Sequence, residues 1–291
     1  MSVQTAGDTN KIVDKALAAI GDIATLPEVT IKIIQIVEDP KSTARDLHDV
    51  IKNDPALSVK VLKVVNSAFY GLPGQIASVD RAIVLLGLSA VKNIAVAASI
   101  AKLFKGKRIS ERFSASDLWR HNVAVAVTAR AIAKLAPNPA MLDEIFVAGL
   151  IHDLGVLVER QAFPDQLAEI INHCTHGDVS FLAYERRLLG ADHQAFGVGL
   201  TTKWRFPRHL RAAVGFHHNP EALSAELRNI GTVMHVADIM SCQEMHGFYI
   251  TAQGETITDD ALDVLEITRD QLESVRTMIP ELVAEAESTL D

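Results

Sequence analysis

Helical spacing of apolar residues and helix-capping signals extend along almost the whole 291-residue chain. In the stretch DPALSVKVLKVV, Asp54 is a good N-cap and Pro55 suits the first helical turn. The apolar residues that follow recur at helical intervals, and Gly71 and Pro73 mark the end of the element. Sustained alternation of apolar and polar residues, which indicates strands, is nearly absent. The sequence therefore predicts an all-α fold.

The same signals predict further helices along the chain. Ser78 caps one that stops at Gly87, and another begins at Ser89. The stretch AGLIHDLGVLVERQ, residues 148–161, predicts one buried helix. In the second half, single helices or helix pairs are predicted over residues 117–135, 141–161, 165–176, 179–190, 192–204, 207–216, 222–243 and 259–290.

Composition narrows the class of protein. Apolar residues make up 48% of the chain and charged residues 22%, which is typical of a soluble globular protein. The start MSVQTAGDTNK lacks the layout of a secretory signal, and no apolar run reaches the ~18 residues of a membrane span. We therefore expect a cytoplasmic protein without a membrane segment. Cys174 and Cys242 form no spacing motif and are predicted to be free thiols.

Charge is distributed unevenly. Residues 1–110 carry a net charge of +4 and the remainder −12, which predicts two regions divided near residues 107–113. The densest basic patch, KLFKGKR, falls at this division and is either a solvated linker or a phosphate-contacting patch; we favour the linker. The pair Phe69-Tyr70 is interpreted as a core anchor before a turn. We do not expect nucleic acid as a partner, because the sequence contains no recognisable nucleic-acid recognition module.

Histidines and aspartates interrupt several of the apolar helices. A lone histidine in such a helix is usually a core residue with a satisfied hydrogen bond. Several histidines and two aspartates on five helices instead predict a metal site in the core of a bundle. Imidazole and carboxylate ligands suit iron, manganese, nickel or zinc, and a carboxylate beside a histidine can bridge two ions. The residues are His121, His152, Asp153, His193, His217, His218, His235 and Asp238.

The order His121, His152-Asp153, Asp238 resembles that of the HD superfamily of metal-dependent phosphohydrolases. The first-half stretch from DPALSVKVLKVVNSAFYGLPG to KNIAVAASI resembles the HDOD family, the HD-related output domain of bacterial signalling proteins. AGLIHDLG, GADHQAFGVGL and HHNP fit the same family in order. The resemblance implies a small N-terminal helical subdomain, residues 1–110, followed by an HD-like helical bundle, residues 111–291.

The related HD-GYP phosphodiesterases carry extra histidines whose places in order match His193, His217 and His218. The resemblance implies one metal position at His121, His152, Asp153 and Asp238, and a second at His193, His217 and His218, bridged by Asp153. Asp117 is an additional candidate ligand, four residues before His121, but it could equally be an N-terminal helix residue beside Ser116, which we favour. His235 is expected in the core or behind the ligands.

Two departures from the HD-GYP pattern bear on activity. Val156 stands where active enzymes have a lysine that meets the substrate phosphate, and no Gly-Tyr-Pro motif follows His218. A phosphodiesterase without that cation lacks a transition-state stabiliser. We therefore expect a bacterial signal-transduction protein with two divalent ions and weak or absent hydrolysis, which binds a protein partner or a nucleotide or other phosphoester. The alternative is an active metal-dependent phosphohydrolase, with Asp153 the best candidate catalytic residue.

Overall fold

The computed structural model describes residues 6–21, 28–39, 41–66, 72, 74–104, 108–137, 142–175 and 179–290. Helices account for the regular structure of these ranges, apart from one antiparallel bridge between Arg108 and Ser114. The prediction of an all-α fold is confirmed. Phe69, Tyr70, Gly71, Pro73, Lys105 and Lys107 lie outside the described residues.

In chain order the α-helices are α1 (Ala6–Ala19), α2 (Glu28–Glu38), α3 (Ala44–Lys52), α4 (Pro55–Val65), α5 (Val79–Leu86), α6 (Leu88–Ile100), α7 (Ala115–Ala133), α8 (Leu142–Ile151), α9 (Leu154–Ala162), α10 (Pro164–Cys174), α11 (Phe181–Leu189), α12 (His193–Lys203), α13 (Arg208–Phe216), α14 (Ala225–Gln243), α15 (Asp259–Leu265) and α16 (Arg269–Leu290). Short 3-10 turns follow α6 at Ala101–Phe104 and precede α14 at Pro220–Ala222.

The caps predicted at Asp54 and Ser78 form, whereas α6 begins at Leu88, one residue before the predicted start, without a side-chain cap. Asp54 accepts a hydrogen bond from the backbone N–H of Leu57 at the start of α4, and Ser78 accepts one from that of Arg81 in α5. At α7 the N-cap is Ser114, which forms a capping box with the carboxylate of Asp117. These side chains satisfy N–H groups that have no partner inside the helix, so they fix where each helix begins.

The prediction of one continuous helix over residues 148–161 is wrong. Helix α8 ends at Ile151 and α9 begins at Leu154, so that His152 and Asp153 lie in the break between them. The Nδ1 of His152 donates to the carbonyl oxygen of Gly149 at 2.8 Å, and the N–H of Val156 then bonds to the carbonyl oxygen of Asp153 at 3.0 Å. Side-chain bonding to the backbone competes with the helical ladder and turns both side chains inward.

One apolar core extends from Val13 in α1 to Ala286 in α16. Helices α2 to α5 surround α6, and in the second half α7 packs against α8, α14 and α16, while α9 packs against α12. Helix α1 also packs against α9 and α12, which belong to the second of the two predicted units. The division into 1–110 and 111–291 remains a proposal.

Two glycines allow the helices around the break to approach closely. A Cβ on Gly149 would overlap the backbone of Ala126 in α7, and one on Gly155 would overlap the carbonyl group of His193 at the start of α12. These contacts bring α7 and α12 to the two ends of the His152-Asp153 segment. Among the described residues, every helix is too short or too polar to cross a bilayer.

Candidate metal centre

The seven principal residues predicted for the site come together at the centre of the second half of the chain. His121 lies on α7, the doublet in the break between α8 and α9, and Asp238 on α14. The remaining three lie at the start of α12 and directly after α13. Their side chains are between 0% and 2% exposed: His121, His152, Asp153, His193, His217, His218 and Asp238. Segments that are distant in sequence thus place their polar side chains together in the core.

Two imidazoles and two carboxylates form the first group of side chains. The Nε2 of His121 lies 3.0 Å from Oδ1 of Asp238 and 3.7 Å from Oδ2 of Asp153. The Nε2 of His152 lies 3.4 Å from the same Asp153 oxygen and 3.9 Å from Oδ1 of Asp238. We call these four residues the first group.

Three imidazoles on the other side of Asp153 form the second group. The Nε2 of His193 lies 3.2 Å from Nε2 of His217 and 3.1 Å from Nε2 of His218. The other carboxylate oxygen of Asp153, Oδ1, lies 3.4 Å from His193 and 3.5 Å from His217. Asp153 therefore offers one oxygen to each group.

The outer nitrogens of the second-group histidines are already engaged. The Nδ1 of His217 donates to the carbonyl oxygen of Val214 at 2.9 Å. The Nδ1 of His193 lies 2.9 Å from both carboxyl oxygens of Glu185, and that of His218 lies 3.0 Å from Oε1 of Glu255. A neutral imidazole that donates through Nδ1 carries a lone pair on Nε2. The three Nε2 atoms converge, so one cation between them could bind all three imidazole nitrogens.

Charge states follow from the surroundings. Burial lowers the pKa of His217 and of His218 to about 3, so both rings are neutral. Burial alone would raise the pKa of Asp153, but the facing imidazoles, His152 above all, outweigh it and hold that pKa well below its usual range. Hydrogen bonding from His121 likewise outweighs burial and lowers the pKa of Asp238. The site thus presents two ionised carboxylates together with the neutral rings of His217 and His218.

Several ligand atoms also lack ordinary partners. Within the described part of the chain, neither carboxylate oxygen of Asp153 makes a hydrogen bond, nor do Nε2 of His152 and Oδ2 of Asp238. Buried polar atoms are almost always paired in folded proteins. The candidate ligand atoms of His193, His217 and His218 lie within 4.8 Å of one another, as do those of His121, His152 and Asp153. The donor set therefore fits divalent cations.

Two other residues named from the sequence lie apart from these groups. Oδ2 of Asp117 accepts hydrogen bonds from the backbone N–H and the hydroxyl of Ser114, at 2.7 and 2.6 Å, so this carboxylate is engaged in the capping box. The Nδ1 of His235 donates to the backbone carbonyl oxygen of His217 at 2.7 Å. His235 thus steadies the segment that carries His217 and His218.

Sequence reasoning missed four polar residues beside the site. Glu185 and Glu255 contact histidines, as described above, and Glu159 is fully buried behind Glu185. Burial and the neighbouring Glu185 raise the pKa of Glu159 well above its usual range. The thiol of Cys242 lies 3.5 Å from Oδ1 of Asp238 and is free, as is that of Cys174. Nothing in the local pattern around Glu185 or Glu255 marks either as buried near a histidine.

The HDOD domain family model matches residues 23–220, about two thirds of the chain. The chain belongs to the HDOD family. An uncharacterized protein from Treponema pallidum (strain Nichols) is 24% identical over 219 residues, which are 75% of this chain and 42% of that protein. The chain therefore spans less than half the length of this curated relative.

Solved structures share the fold of this HDOD protein. An HDOD domain protein with unknown function from Geobacter sulfurreducens has a TM-score of 0.81 at 22% identity, covering 98% of this chain and 99% of that one. A candidate signal transduction protein from Marinobacter aquaeolei VT8 has a TM-score of 0.74 at 23% identity, covering 97% and 64%. A candidate phosphohydrolase from Shewanella amazonensis SB2B has a TM-score of 0.71 at 22% identity, covering 96% and 98%. At these identities the likeness establishes the fold.

Proposed function

We propose that this HDOD protein is a metal-binding regulatory module of bacterial signal transduction, acting in the cytoplasm with weak or absent hydrolytic activity. Two divalent ions would be held in its core, one by the first group and one by the second group with Asp153 between them. The module would bind a protein partner, or a nucleotide or other phosphoester, without efficient turnover. The name of the Marinobacter structure supports a signalling role for the fold.

The observation that carries the proposal is the convergence of Nε2 atoms in the second group. Separations of 3.1 and 3.2 Å place three imidazole nitrogens where a single cation could bind all of them. The ligand types suit iron, manganese, nickel or zinc. When bound, such ions would polarise a phosphate oxygen and lower the pKa of a water molecule.

Enclosure of the site favours regulation over turnover. All seven side chains are at most 2% exposed, so in this conformation they present almost no surface to a large phosphoester. Val156, which stands where active HD-GYP enzymes have a lysine, is 0% exposed and apolar. The chain therefore lacks at this position the fixed cation that would orient a phosphate, and orientation is a large part of phosphoryl-transfer catalysis.

Elemental analysis of protein purified without added metal tests the proposal before any substrate is chosen. We expect close to two transition-metal ions per chain, with loss of both in Asp153→Ala because that carboxylate serves both groups. Protein that contains no metal and takes up none after incubation with manganese, iron, nickel or zinc would refute the metal-binding function.

An active phosphohydrolase is the second candidate. The observation that favours it is Asp153 itself, whose two oxygens face separate groups as in a centre that binds two ions. Hydrolysis of bis-p-nitrophenyl phosphate with manganese or iron distinguishes the candidates. Turnover of about 1 s⁻¹ or faster, abolished in Asp153→Ala, would favour the enzyme; slower turnover would favour the regulatory module.

A further inference from the structure

Two glutamates stand behind histidines of the second group. Glu185, on α11, is fully buried, and both of its carboxyl oxygens lie 2.9 Å from Nδ1 of His193. Glu255, in the turn after α14, places Oε1 3.0 Å from Nδ1 of His218 and has a side chain that is 29% exposed. Both glutamates approach the side of the ring that faces away from the converging Nε2 atoms.

Within the described residues, no carboxylate is bonded to an Nδ1 atom of the first group. The Nδ1 of His152 donates to the backbone carbonyl oxygen of Gly149, and Nδ1 of His121 has no hydrogen-bond partner within the described part of the chain. Of the two groups, the second is therefore the one in which side-chain carboxylates fix imidazoles. Substitution of these carboxylates tests what they contribute.

We propose that Glu185 and Glu255 are positioning residues that hold His193 and His218 with Nε2 turned inward, and that they set the metal affinity of the second group. The proposal rests on the metal-binding function above and assigns the affinity of one position to residues outside the ligand set. A carboxylate at Nδ1 fixes the tautomer and orientation of an imidazole ligand and makes it a stronger donor. Neither glutamate reaches the converging Nε2 atoms, so both act through the histidines.

The burial of Glu185 supports this role. A carboxyl group buried in an apolar core is costly unless a partner compensates it, and the hydrogen bond between Glu185 and His193 supplies that partner. Glu159, packed behind Glu185, is equally buried but makes no hydrogen bond to a histidine in the described part of the chain. A substitution of Glu159 is therefore the matched control, because it changes a buried carboxyl group that makes no hydrogen bond to a candidate ligand.

Calorimetric titration of chelator-stripped protein with Mn²⁺ tests the proposal, with the electron paramagnetic resonance spectrum reporting whether ions are paired. Wild type should bind two ions. Glu185→Leu and Glu255→Ala should each weaken one binding event by about 10- to 100-fold and leave the other unchanged. Glu185→Gln should keep most of the affinity, because its amide oxygen still accepts from Nδ1. Glu159→Gln should bind both ions with wild-type affinity, and so should Glu244→Ala, at an exposed position at the end of α14.

The outcomes distinguish the positioning role of the two glutamates from the metal-binding function. If Glu185→Leu and Glu255→Ala bind two ions with wild-type affinity, the positioning role is overturned and the metal-binding function stands. A lower melting temperature of the metal-free variants without a change in affinity shows a structural role only and also overturns it. Wild type that binds no ion overturns both ideas. Should Glu185→Leu not fold, Glu255→Ala decides alone, since its side chain reaches solvent.

Discussion

The Nε2 atoms of His193 and His217 lie 3.2 Å apart in the core, and the hydrogen on Nδ1 of His217 is already donated to the carbonyl oxygen of Val214. Two ring nitrogens at this distance are stable when a proton or a metal ion lies between them. Burial disfavours the proton on His217, because it lowers the pKa of that ring to about 3. The Nε2 of His217 can therefore accept a hydrogen bond or bind a metal ion, and the first prediction concerns loss of the proposed metal.

Asp153→Ala should lose both metal ions and lower the melting temperature together. Bound metal stabilises only the folded chain, by mass action, so the variant should melt below metal-loaded wild type and should not respond to chelator. His152→Ala should likewise lose metal, from the first group, and melt at a lower temperature. Elemental analysis and calorimetry on the same samples provide the measurement.

Asp165→Ala, at an exposed position on α10, is the control and should keep the wild-type metal content and melting temperature. A variant of Asp153 that loses all metal while melting at the wild-type temperature would contradict the prediction, because the site would then contribute nothing to the stability of the core.

The free energy of unfolding of Glu159→Gln, relative to that of wild type, should increase as the pH rises. Burial and Glu185 raise the pKa of Glu159, so the folded chain keeps a proton that the unfolded chain releases above about pH 4.5. The contribution of Glu159 to stability is thus fully present below pH 4.5 and is lost as the pH rises through the raised pKa. Glutamine carries no such proton.

Urea denaturation of the two metal-free proteins between pH 4.5 and pH 8 measures this difference. We expect near-equal stability at the acidic end and an advantage for Glu159→Gln on the order of 1 kcal/mol or more at pH 8. A difference that stays constant across this range would show that Glu159 ionises in the folded protein as it does in the unfolded one.

Gly155→Ala should separate α9 from α12 and move His193. The added Cβ would overlap the carbonyl group of His193, which is backbone and cannot rotate away. Overpacking of this kind costs about 1–3 kcal/mol, and here it also displaces a candidate ligand. Denaturation together with Mn²⁺ titration should show lower stability and weaker binding at one position. Gly21→Ala, where a Cβ meets nothing within 4 Å, is the control, and equal behaviour of the two variants would contradict the prediction.

Val156→Lys should raise the rate of phosphoester hydrolysis if the missing cation limits activity, and we expect an increase. Because Val156 is fully buried, the substitution should also lower the melting temperature. Val156→Met is the matched control, since it introduces a long side chain without charge. Equal hydrolysis rates of the lysine and methionine variants, measured with bis-p-nitrophenyl phosphate, would show that the charge at this position is not limiting.

Local signals account for the parts of the fold that the sequence predicted. The N-caps at Asp54 and Ser78 are contained in a few consecutive residues, so these helix starts follow from short stretches. The break between α8 and α9 does not, because apolar spacing continues across it. It depends on the bond from His152 to Gly149, which no periodicity reveals.

The residues of the candidate site likewise include some that the sequence could predict and some that it could not. Its histidines and aspartates stand out as polar residues within apolar helices, and their order resembles a known family. Glu185 lies in FLAYERRLL, where neighbouring arginines give the appearance of a solvated helix face. Glu255 lies in a polar turn near the end of the chain. Only the packing of distant helices brings these carboxylates to His193 and His218, so sequence spacing could not identify them.

The hydrogen bond between His121 and Asp238 joins residues 117 positions apart. Closing so long a loop costs chain entropy, and contacts of this kind form only once the intervening helices have assembled. Ions held there would join segments that the unfolded chain leaves unlinked, unlike a disulfide, which constrains the unfolded chain as well. Metal loading should therefore slow unfolding far more than it speeds folding. Its signature would be a longer lifetime of the native state and greater resistance to proteases.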